Sequence, residues 1–207
     1  MSKSYTEYNN LIFDLGGVII NLAMEDTLRA FSDLSGRSIE QLTSFYMTDL
    51  YKQFEKGLIS ATQFRDEVNE LLQSSIGDED FDSAWNAMLL DIPRERIDVL
   101  ERLNESHDLY LISNTNEIHV PAFNAILEES SGYNDLTSLF LKAYYSHDVK
   151  MRKPDVEIYE FVINENQLDP EKTLMIDDRE DNLEGAKLAG LGTVQITDTH
   201  TILDYFK

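Results

Sequence analysis

The chain has 207 residues, contains no cysteine, and carries 39 acidic against 17 basic side chains, for a formal net charge of −22. Because nucleic-acid affinity comes mainly from cations that neutralise phosphates, this charge argues against nucleic acid as a partner. The absence of cysteine excludes disulfides, thiolate zinc sites and a cysteine nucleophile. A composition that is 42% hydrophobic indicates a globular core, and the length suits one domain with or without an inserted module.

Residues 1–10 are polar and include Glu7, so they lack the basic start and apolar run of a secretory signal. No apolar stretch approaches the roughly 18 residues that a membrane span requires. We therefore expect a soluble, cytoplasmic protein with no membrane partner. Nothing in the sequence predicts its oligomeric state.

Five short apolar runs predict buried β-strands, at residues 11–15, 109–113, 143–146, 173–177 and 193–197. The stretches between the later runs have the periodicity of amphipathic helices, at residues 94–104, 117–129, 155–166 and 182–189. Strands that alternate with helices indicate an α/β fold, with a Rossmann-like, doubly wound parallel sheet covered by helices on both faces.

One long stretch breaks this alternation because it shows helical patterns and no convincing strand. The patterns lie at residues 25–34, 38–49, 60–72 and 80–90. Ser60 and Gln63 have the spacing of a helix capping box. We predict a core formed by residues 1–21 and 93–207, with an all-helical cap, residues 22–92, inserted after the first strand. Ligands bind beyond the C-terminal ends of the strands in such sheets, so the cap would cover the site.

Aromatic side chains of the predicted cap are expected to form its core, and one or two of them to line a substrate pocket. They are Tyr46, Tyr51, Phe54, Phe64 and Trp85.

Asp14 and Ser113 lie at the ends of predicted strands, and Lys153 precedes a predicted helix. Each of them has a structural interpretation beside a functional one. Asp14, before Gly16 and Gly17, is either a turn carboxylate or a nucleophile or metal ligand. Ser113 and its neighbours form a turn or helix cap, or bind an anion. Lys153 would usually be a surface lysine, and Pro154 after it favours the start of a helix.

The pair Asp177 and Asp178 is the most specific of these features. Adjacent acids at the end of a buried strand repel each other and need a cation or hydrogen bonds. Asn182 follows at the head of the next helix. Ligands that are all oxygen favour Mg²⁺ over zinc, so this segment predicts a magnesium site.

Four motifs in chain order resemble those of the haloacid dehalogenase-like (HAD) hydrolase superfamily. They are Ile-Phe-Asp14-Leu-Gly-Gly-Val, Leu-Ile-Ser113-Asn-Thr-Asn, Arg-Lys153-Pro-Asp and Ile-Asp177-Asp178-x-x-x-Asn182. The resemblance covers about residues 11–197 and includes a helical cap between the first two motifs. Within the superfamily the chain is similar to bacterial sugar-phosphate phosphatases of the α-glucose-1-phosphatase type.

The resemblance implies a Mg²⁺-dependent phosphomonoester hydrolase that acts on a small phosphorylated metabolite. Asp14 would attack phosphorus and form an aspartyl-phosphate, with Lys153 as the second catalytic residue. The predicted phosphate ligands are Leu15 and Gly16 through their backbone N–H groups, Ser113, Asn114 and Lys153. The predicted metal ligands are Asp14, the carbonyl of Gly16, Asp178 and, in support, Asp177. Asn182 would orient the carboxylates or the metal's water molecules.

One departure from the family pattern concerns the proton donor. Most family phosphatases have Asp two residues after the nucleophile as general acid and base, and this chain has Gly16. Such catalysis is worth about 10² to 10⁴ in rate. We therefore expect a preference for activated leaving groups such as those of hexose-1-phosphates. His119 is a candidate replacement acid, although a position on a helix surface fits it better.

Two rival interpretations stay open at this stage. The first is a non-catalytic phospholigand or protein-binding module that has the HAD fold without the general acid. The second is a haloacid dehalogenase, for which the paired Asp177 and Asp178 would serve no purpose because that reaction needs no metal.

Residues 142–153 stand out from this acidic chain because they hold four cations and one acid. The cations are Lys142, Lys150, Arg152 and Lys153, and the acid is Asp148. We expect phosphate to be tolerated near this basic island and repelled elsewhere.

Overall fold

The computed structural model describes residues 4–43 and 49–207 of the chain. Its centre is a five-stranded sheet in the order β3-β2-β1-β4-β5, in which every neighbouring pair of strands is parallel. The strands are β1 (Asn10–Phe13), β2 (Asp108–Ser113), β3 (Lys142–Tyr145), β4 (Thr173–Asp177) and β5 (Gly192–Gln195). The predicted α/β class with a parallel sheet is therefore confirmed.

Between β1 and β2 the described residues form helices and no further strand of the sheet. They are α1 (Met24–Ser35), α2 (Ile39–Thr43), α3 (Asp49–Glu55), α4 (Ala61–Leu72), α5 (Asp78–Asn86) and α6 (Arg94–Leu103). The helices that follow β2 are α7 (His119–Ser131), α8 (Ser146–Val149), α9 (Val156–Asn166), α10 (Glu180–Leu188) and α11 (Ile202–Tyr205). Within these described ranges, no helix has the length and apolar character needed to cross a membrane.

Alternate residues of each central strand belong to two different cores, one on each face of the sheet. In β1, Leu11 and Phe13 join the core that α6, α7 and α11 cover, whereas Ile12 joins the core beneath α9 and α10. Successive strand side chains point to opposite faces, so a strand with both faces covered has to be apolar throughout. This requirement explains why the strands appear in the sequence as unbroken apolar runs.

Helices α1 to α5 surround a hydrophobic core of their own, centred on Trp85. Phe64 packs edge-on against Trp85 at a ring separation of 4.8 Å and stacks on Phe54 at 4.0 Å. Phe54, Phe64 and Trp85 are therefore core residues, as the sequence predicts. Tyr51 packs against Trp85 at the edge of this core, and Tyr46 lies outside the described residues.

The two chain segments that join these five helices to the sheet run side by side. The N–H group of Asn21 donates to the carbonyl of Asp91 at 2.9 Å, and that of Leu90 donates to the carbonyl of Asn21 at 3.0 Å. This pairing lies close to the predicted cap boundaries, at residues 21–22 and 92–93. The division of the chain into two domains at these boundaries stays a prediction.

All five predicted strands and most predicted helices are present, with ends displaced by at most four residues. The capping box is confirmed, since Ser60 accepts from the N–H of Gln63 at 3.3 Å and Gln63 accepts from the N–H of Ser60 at 3.0 Å. Helix α3 was not predicted because it spans only seven residues before Gly57. The predicted helix over residues 38–49 corresponds to α2 and the first residue of α3, and its middle lies outside the described residues.

Gly185 of α10 lets this helix lie directly against the segment that follows β3. A Cβ atom there would overlap the carbonyl oxygen of Pro154 and come within 2.9 Å of the Tyr159 ring. We expect Gly185→Ala to lower the free energy of unfolding by about 1–3 kcal/mol, because the overlap outweighs the gain of about 1 kcal/mol in helix propensity.

Chemical denaturation of Gly185→Ala beside Gly77→Ala measures this effect, because a Cβ at Gly77 would meet no atom within 4 Å. Equal unfolding free energies for the two variants would contradict the prediction.

Candidate active site

The predicted site residues meet at the C-terminal edge of the sheet, where β1 and β4 lie side by side. Asp14 follows β1 directly, and Asp177 is the last residue of β4. From β1 the chain first builds β2 and β3 on one side and then returns to place β4 and β5 on the other. In open α/β sheets, ligands bind in the crevice at such a reversal of strand order.

Lys153 is completely enclosed and bridges two carboxylates at this edge. Its Nζ lies 2.8 Å from Asp14 Oδ1 and 2.6 Å from Asp177 Oδ2. Burial by itself disfavours the charged lysine, but the carboxylates of Asp14 and Asp177 outweigh burial and hold the pKa of Lys153 above its ordinary value. The residue is therefore an ammonium ion held inside the protein, and the interpretation as a surface lysine is wrong.

Asp14 experiences competing influences on its charge. Burial, with the nearby carboxylates of Asp177 and Asp178, raises the pKa of Asp14 to about 7, because together they outweigh the lowering effect of Lys153. One ligand oxygen from each of these three aspartates lies within 4.8 Å of the other two. Three carboxylates around one ammonium leave an excess of negative charge, and all the ligand atoms are oxygens. These donors fit a hard divalent cation such as Mg²⁺.

The two adjacent aspartates occupy different environments. Asp177 is fully buried, and its carboxylate accepts from Asn182 Nδ2 at 2.9 and 3.1 Å and from the N–H of Arg179 at 2.9 Å. Asp178 is half-buried and lines the cavity above the sheet edge. Hydrogen bonds therefore stabilise the carboxylate of Asp177, whereas Asp178 faces the cavity.

Two of the predicted phosphate ligands are engaged within the protein. The Asn114 amide donates to the carbonyl of Lys153 at 2.8 Å and accepts from the N–H of Lys153 at 2.9 Å. The N–H of Leu15 donates to Asp14 Oδ1 at 2.6 Å. Ser113 is buried at the end of β2. Asn114 thus holds the backbone of Lys153, a contact between residues 39 positions apart that no sequence pattern indicated.

Gly17 is required where the chain turns after Asp14. Its φ is +70°, and an added Cβ would lie 2.6 Å from Asp178 Oδ2. At Gly16 an added Cβ would lie 2.7 Å from Leu22 Cδ1. Leu22 is exposed and its side-chain end can move, so this contact alone does not exclude a side chain at Gly16. At Gly17 both the positive φ and the Asp178 carboxylate disfavour one.

His119 is neither on a helix surface nor available as an acid. It is buried at the start of α7, stacked on Trp85 with ring centroids 5.5 Å apart, and its Nδ1 lies 2.7 Å from Asn86 Oδ1. Burial lowers the pKa of His119 to about 3, so the ring is neutral at physiological pH. The expectation of a surface position is wrong because the core around Trp85 extends to α7.

A cavity of about 1070 Å³ lies between the sheet edge and the helices that follow β1. Asp14, Gly16, Lys153 and Asp178 are part of its wall. The wall also includes Tyr51, one of the aromatic residues of which one or two were expected to line a pocket. Two further residues of the wall, Glu55 and Arg152, were not assigned to the site from the sequence. Arg152 stood in the basic island, but its partner Glu55 is 97 positions away and could not be identified from the sequence.

Comparison with known proteins agrees with this geometry. The sequence model of haloacid dehalogenase-like hydrolases matches residues 8–190. A D-ribitol-5-phosphate phosphatase from Bacteroides thetaiotaomicron is 29% identical over 187 residues, which is 90% of each chain. A sesquiterpene phosphatase from Aspergillus oryzae is 26% identical and covers 94% of this chain and 92% of its own.

Among solved structures, a HAD family enzyme from Bacteroides thetaiotaomicron in complex with magnesium and inorganic phosphate has a TM-score of 0.85 and 33% identity. The alignment covers 97% of this chain and 100% of that one. The named relatives are phosphatases, and the carboxylate cluster of this chain could hold the cation found in that HAD enzyme. The family match over most of its length shows that the chain belongs to the haloacid dehalogenase-like hydrolases.

Proposed function

We propose that this phosphatase hydrolyses phosphomonoesters of small sugars or polyols through a phosphorylated Asp14. The observation that carries the proposal is the buried Asp14 carboxylate beside Lys153, in a large cavity whose wall holds many charged and amide side chains together with Leu22, Met24 and Leu90. A small phosphorylated metabolite is the substrate class that the named relatives support, and one of them is named for D-ribitol 5-phosphate.

In the proposed reaction, Asp14 attacks phosphorus, the P–O bond to the alcohol breaks, and water then hydrolyses the aspartyl-phosphate. Lys153 orients the Asp14 carboxylate and offers N–H groups to the phosphate oxygens. Asn114 keeps Lys153 in place through its backbone. Arg179 and Asn182 hold Asp177, which in turn contacts Lys153.

Asp14, Asp178 and the Gly16 carbonyl would hold Mg²⁺, with Asp177 in support. When bound, the cation offsets the repulsion between the Asp14 carboxylate and the phosphate and stabilises negative charge on the transferring phosphoryl group. Repulsion from Asp177 and Asp178 adds to the burial that raises the pKa of Asp14, and a cation held by the three aspartates would offset it.

Two features of the site predict which leaving groups it favours. Gly16 offers no general acid, which favours leaving groups that depart without protonation, such as the anomeric oxygen of a hexose-1-phosphate. The cavity wall carries charged and amide side chains, including Arg152, Arg179 and Asp198. These groups suit a hydroxylated leaving group better than the hydrocarbon chain of a sesquiterpene.

A phosphate-release assay tests the proposal with D-ribitol 5-phosphate, glucose 1-phosphate, glucose 6-phosphate and farnesyl phosphate, each with Mg²⁺ and with a chelator. We expect turnover of the hydroxylated substrates, a preference for glucose 1-phosphate over glucose 6-phosphate, and loss of activity with chelator. Equal turnover of the two glucose phosphates would refute the preference for an activated leaving group. Release of phosphate from none of them would favour the non-catalytic binding module.

Asp14→Asn removes the proposed nucleophile and is expected to lower kcat by at least about 10³-fold. The same change should stabilise the fold in metal-free buffer near neutral pH. The pKa of Asp14 is raised from 3.8 to about 7 by burial, so the folded state disfavours the charged carboxylate and loses stability as pH rises between these two values.

Denaturation of wild type and Asp14→Asn at pH 4 and pH 7, without metal, measures this difference. If the variant were inactive and also less stable at pH 7, loss of fold would explain its inactivity and the prediction would fail.

Gly17→Ala should weaken Mg²⁺ binding, because the new Cβ would displace the Asp178 carboxylate. We expect the Mg²⁺ concentration for half-maximal activity to rise by about 10- to 100-fold, as for changes beside other metal ligands. Gly36→Ala is the matched control, since Gly36 has a φ of +68° and no atom within 4 Å of the added Cβ. A similar shift in both variants would indicate backbone strain and not a displaced ligand.

A further inference from the structure

A buried ion pair joins α3 to the segment that carries Lys153. Arg152 Nη2 lies 2.7 Å and Nε 3.0 Å from Glu55 Oε2, and the Tyr51 hydroxyl donates to Glu55 Oε1 at 2.7 Å. Glu55 is only 3% exposed, so a carboxylate without partners at this place would be unfavourable. Both Glu55 oxygens are occupied, and the acid therefore acts on the orientation and charge of Arg152.

Arg152 keeps N–H groups that Glu55 does not use. Its Nη1 contacts no acceptor within the described residues, and its side chain is 19% exposed. Tyr51, Glu55 and Arg152 belong to the same cavity wall as Asp14 and Lys153. Arg152 directly precedes Lys153 in the chain, so its free N–H groups are available to the part of a substrate that lies beyond the phosphate.

The carboxylate of Glu55 neutralises the charge of Arg152 inside the protein. A guanidinium paired with a buried carboxylate still donates hydrogen bonds, but it offers little net attraction to a second anion. The neighbouring Lys52 also lines the cavity, yet it is exposed on α3, where solvent and salt screen its charge. The arrangement suits neutral hydroxyl oxygens better than a carboxylate or second phosphate.

We propose that Arg152, oriented by Glu55 and Tyr51, determines substrate specificity by donating N–H groups to hydroxyl oxygens of an uncharged polyol or sugar leaving group. Glu55 is a positioning residue that also disfavours leaving groups with a second negative charge. This inference rests on the proposed phosphatase function and specifies the substrate class of the same site.

A purely mechanical role is the competing explanation, because Glu55 and Arg152 also tie α3 to the sheet edge. The chain supplies a control for it. Lys56, the next residue after Glu55, pairs with Asp155 at 2.8 Å and makes the same connection. This second pair is partly exposed and is absent from the cavity wall in the described structure. Lys56→Gln therefore weakens the connection without touching the proposed subsite.

The experiment compares kcat/KM for D-ribitol 5-phosphate, 3-phosphoglycerate and p-nitrophenyl phosphate. These three probes have a neutral hydroxylated, a carboxylate-bearing and an apolar aromatic leaving group. Arg152→Met should lower kcat/KM for D-ribitol 5-phosphate by about 10- to 100-fold, the range expected for lost hydrogen bonds to a charged group. For p-nitrophenyl phosphate it should change kcat/KM by less than about threefold.

Glu55→Gln leaves the arginine charge uncompensated while keeping the side-chain size. It should lower the preference for D-ribitol 5-phosphate over 3-phosphoglycerate by about tenfold, chiefly through KM. The double variant Glu55→Gln/Arg152→Met buries no unpaired charge and should reproduce the loss on D-ribitol 5-phosphate. Lys56→Gln should leave the ratios among the three probes unchanged.

Equal losses on all three probes in Arg152→Met and the double variant would overturn the inference and leave only the mechanical role. The inference would also be overturned if Lys56→Gln changed the ratios of kcat/KM among the three probes as Glu55→Gln does. Turnover of p-nitrophenyl phosphate by the wild-type protein distinguishes a failure of this inference from a failure of the proposed function. If that activity is present, these outcomes bear on Arg152 alone, whereas turnover of none of the three probes would overturn the proposed function and this inference together.

Discussion

The contact of the Lys153 ammonium with Asp14 and Asp177 is the interaction on which the rest of the site depends. A charge buried this deeply is tolerated only when paired and hydrogen-bonded, and here the partners come from the ends of two adjacent strands. Neighbouring amide side chains hold Lys153 and Asp177 in place. Asn114 binds the backbone of Lys153, and Asn182 binds Asp177. The lysine balances only part of the acidic charge, which is why the cluster suits a magnesium phosphatase.

The helices inserted after β1 are connected to this lysine through the residues around it. Besides the ion pair of Arg152 with Glu55, the Lys150 Nζ donates to the carbonyl of Gly57 at 2.7 Å. The segment that carries Lys153 is therefore held from two sides, by the sheet edge and by the end of α3. In this arrangement a change in α3 can alter both the shape of the cavity and the setting of the buried ammonium.

The basic island has a different role from the one expected of it. Lys142 pairs with Glu165 near the surface, Lys150 binds backbone carbonyls, and Arg152 is neutralised by Glu55. Only Lys153 reaches the proposed nucleophile. In the proposed reaction, attraction for phosphate thus rests on one buried ammonium and on the Mg²⁺ that the aspartates would hold. The other three cations of the island are engaged with acids or carbonyls of the protein.

The sequence by itself determined the sheet, the order of the motifs and the kind of chemistry. Strand periodicity is local, and polar residues that end buried parallel strands must emerge at one edge, so Asp14, Ser113 and Asp177 could be assigned to it without coordinates. Only the tertiary structure decided which side chains meet across elements. Glu55 with Arg152, Asn114 with Lys153 and His119 with Trp85 are contacts between residues far apart in the chain. Their physical basis is packing and burial of the folded molecule, which no local pattern of residues encodes.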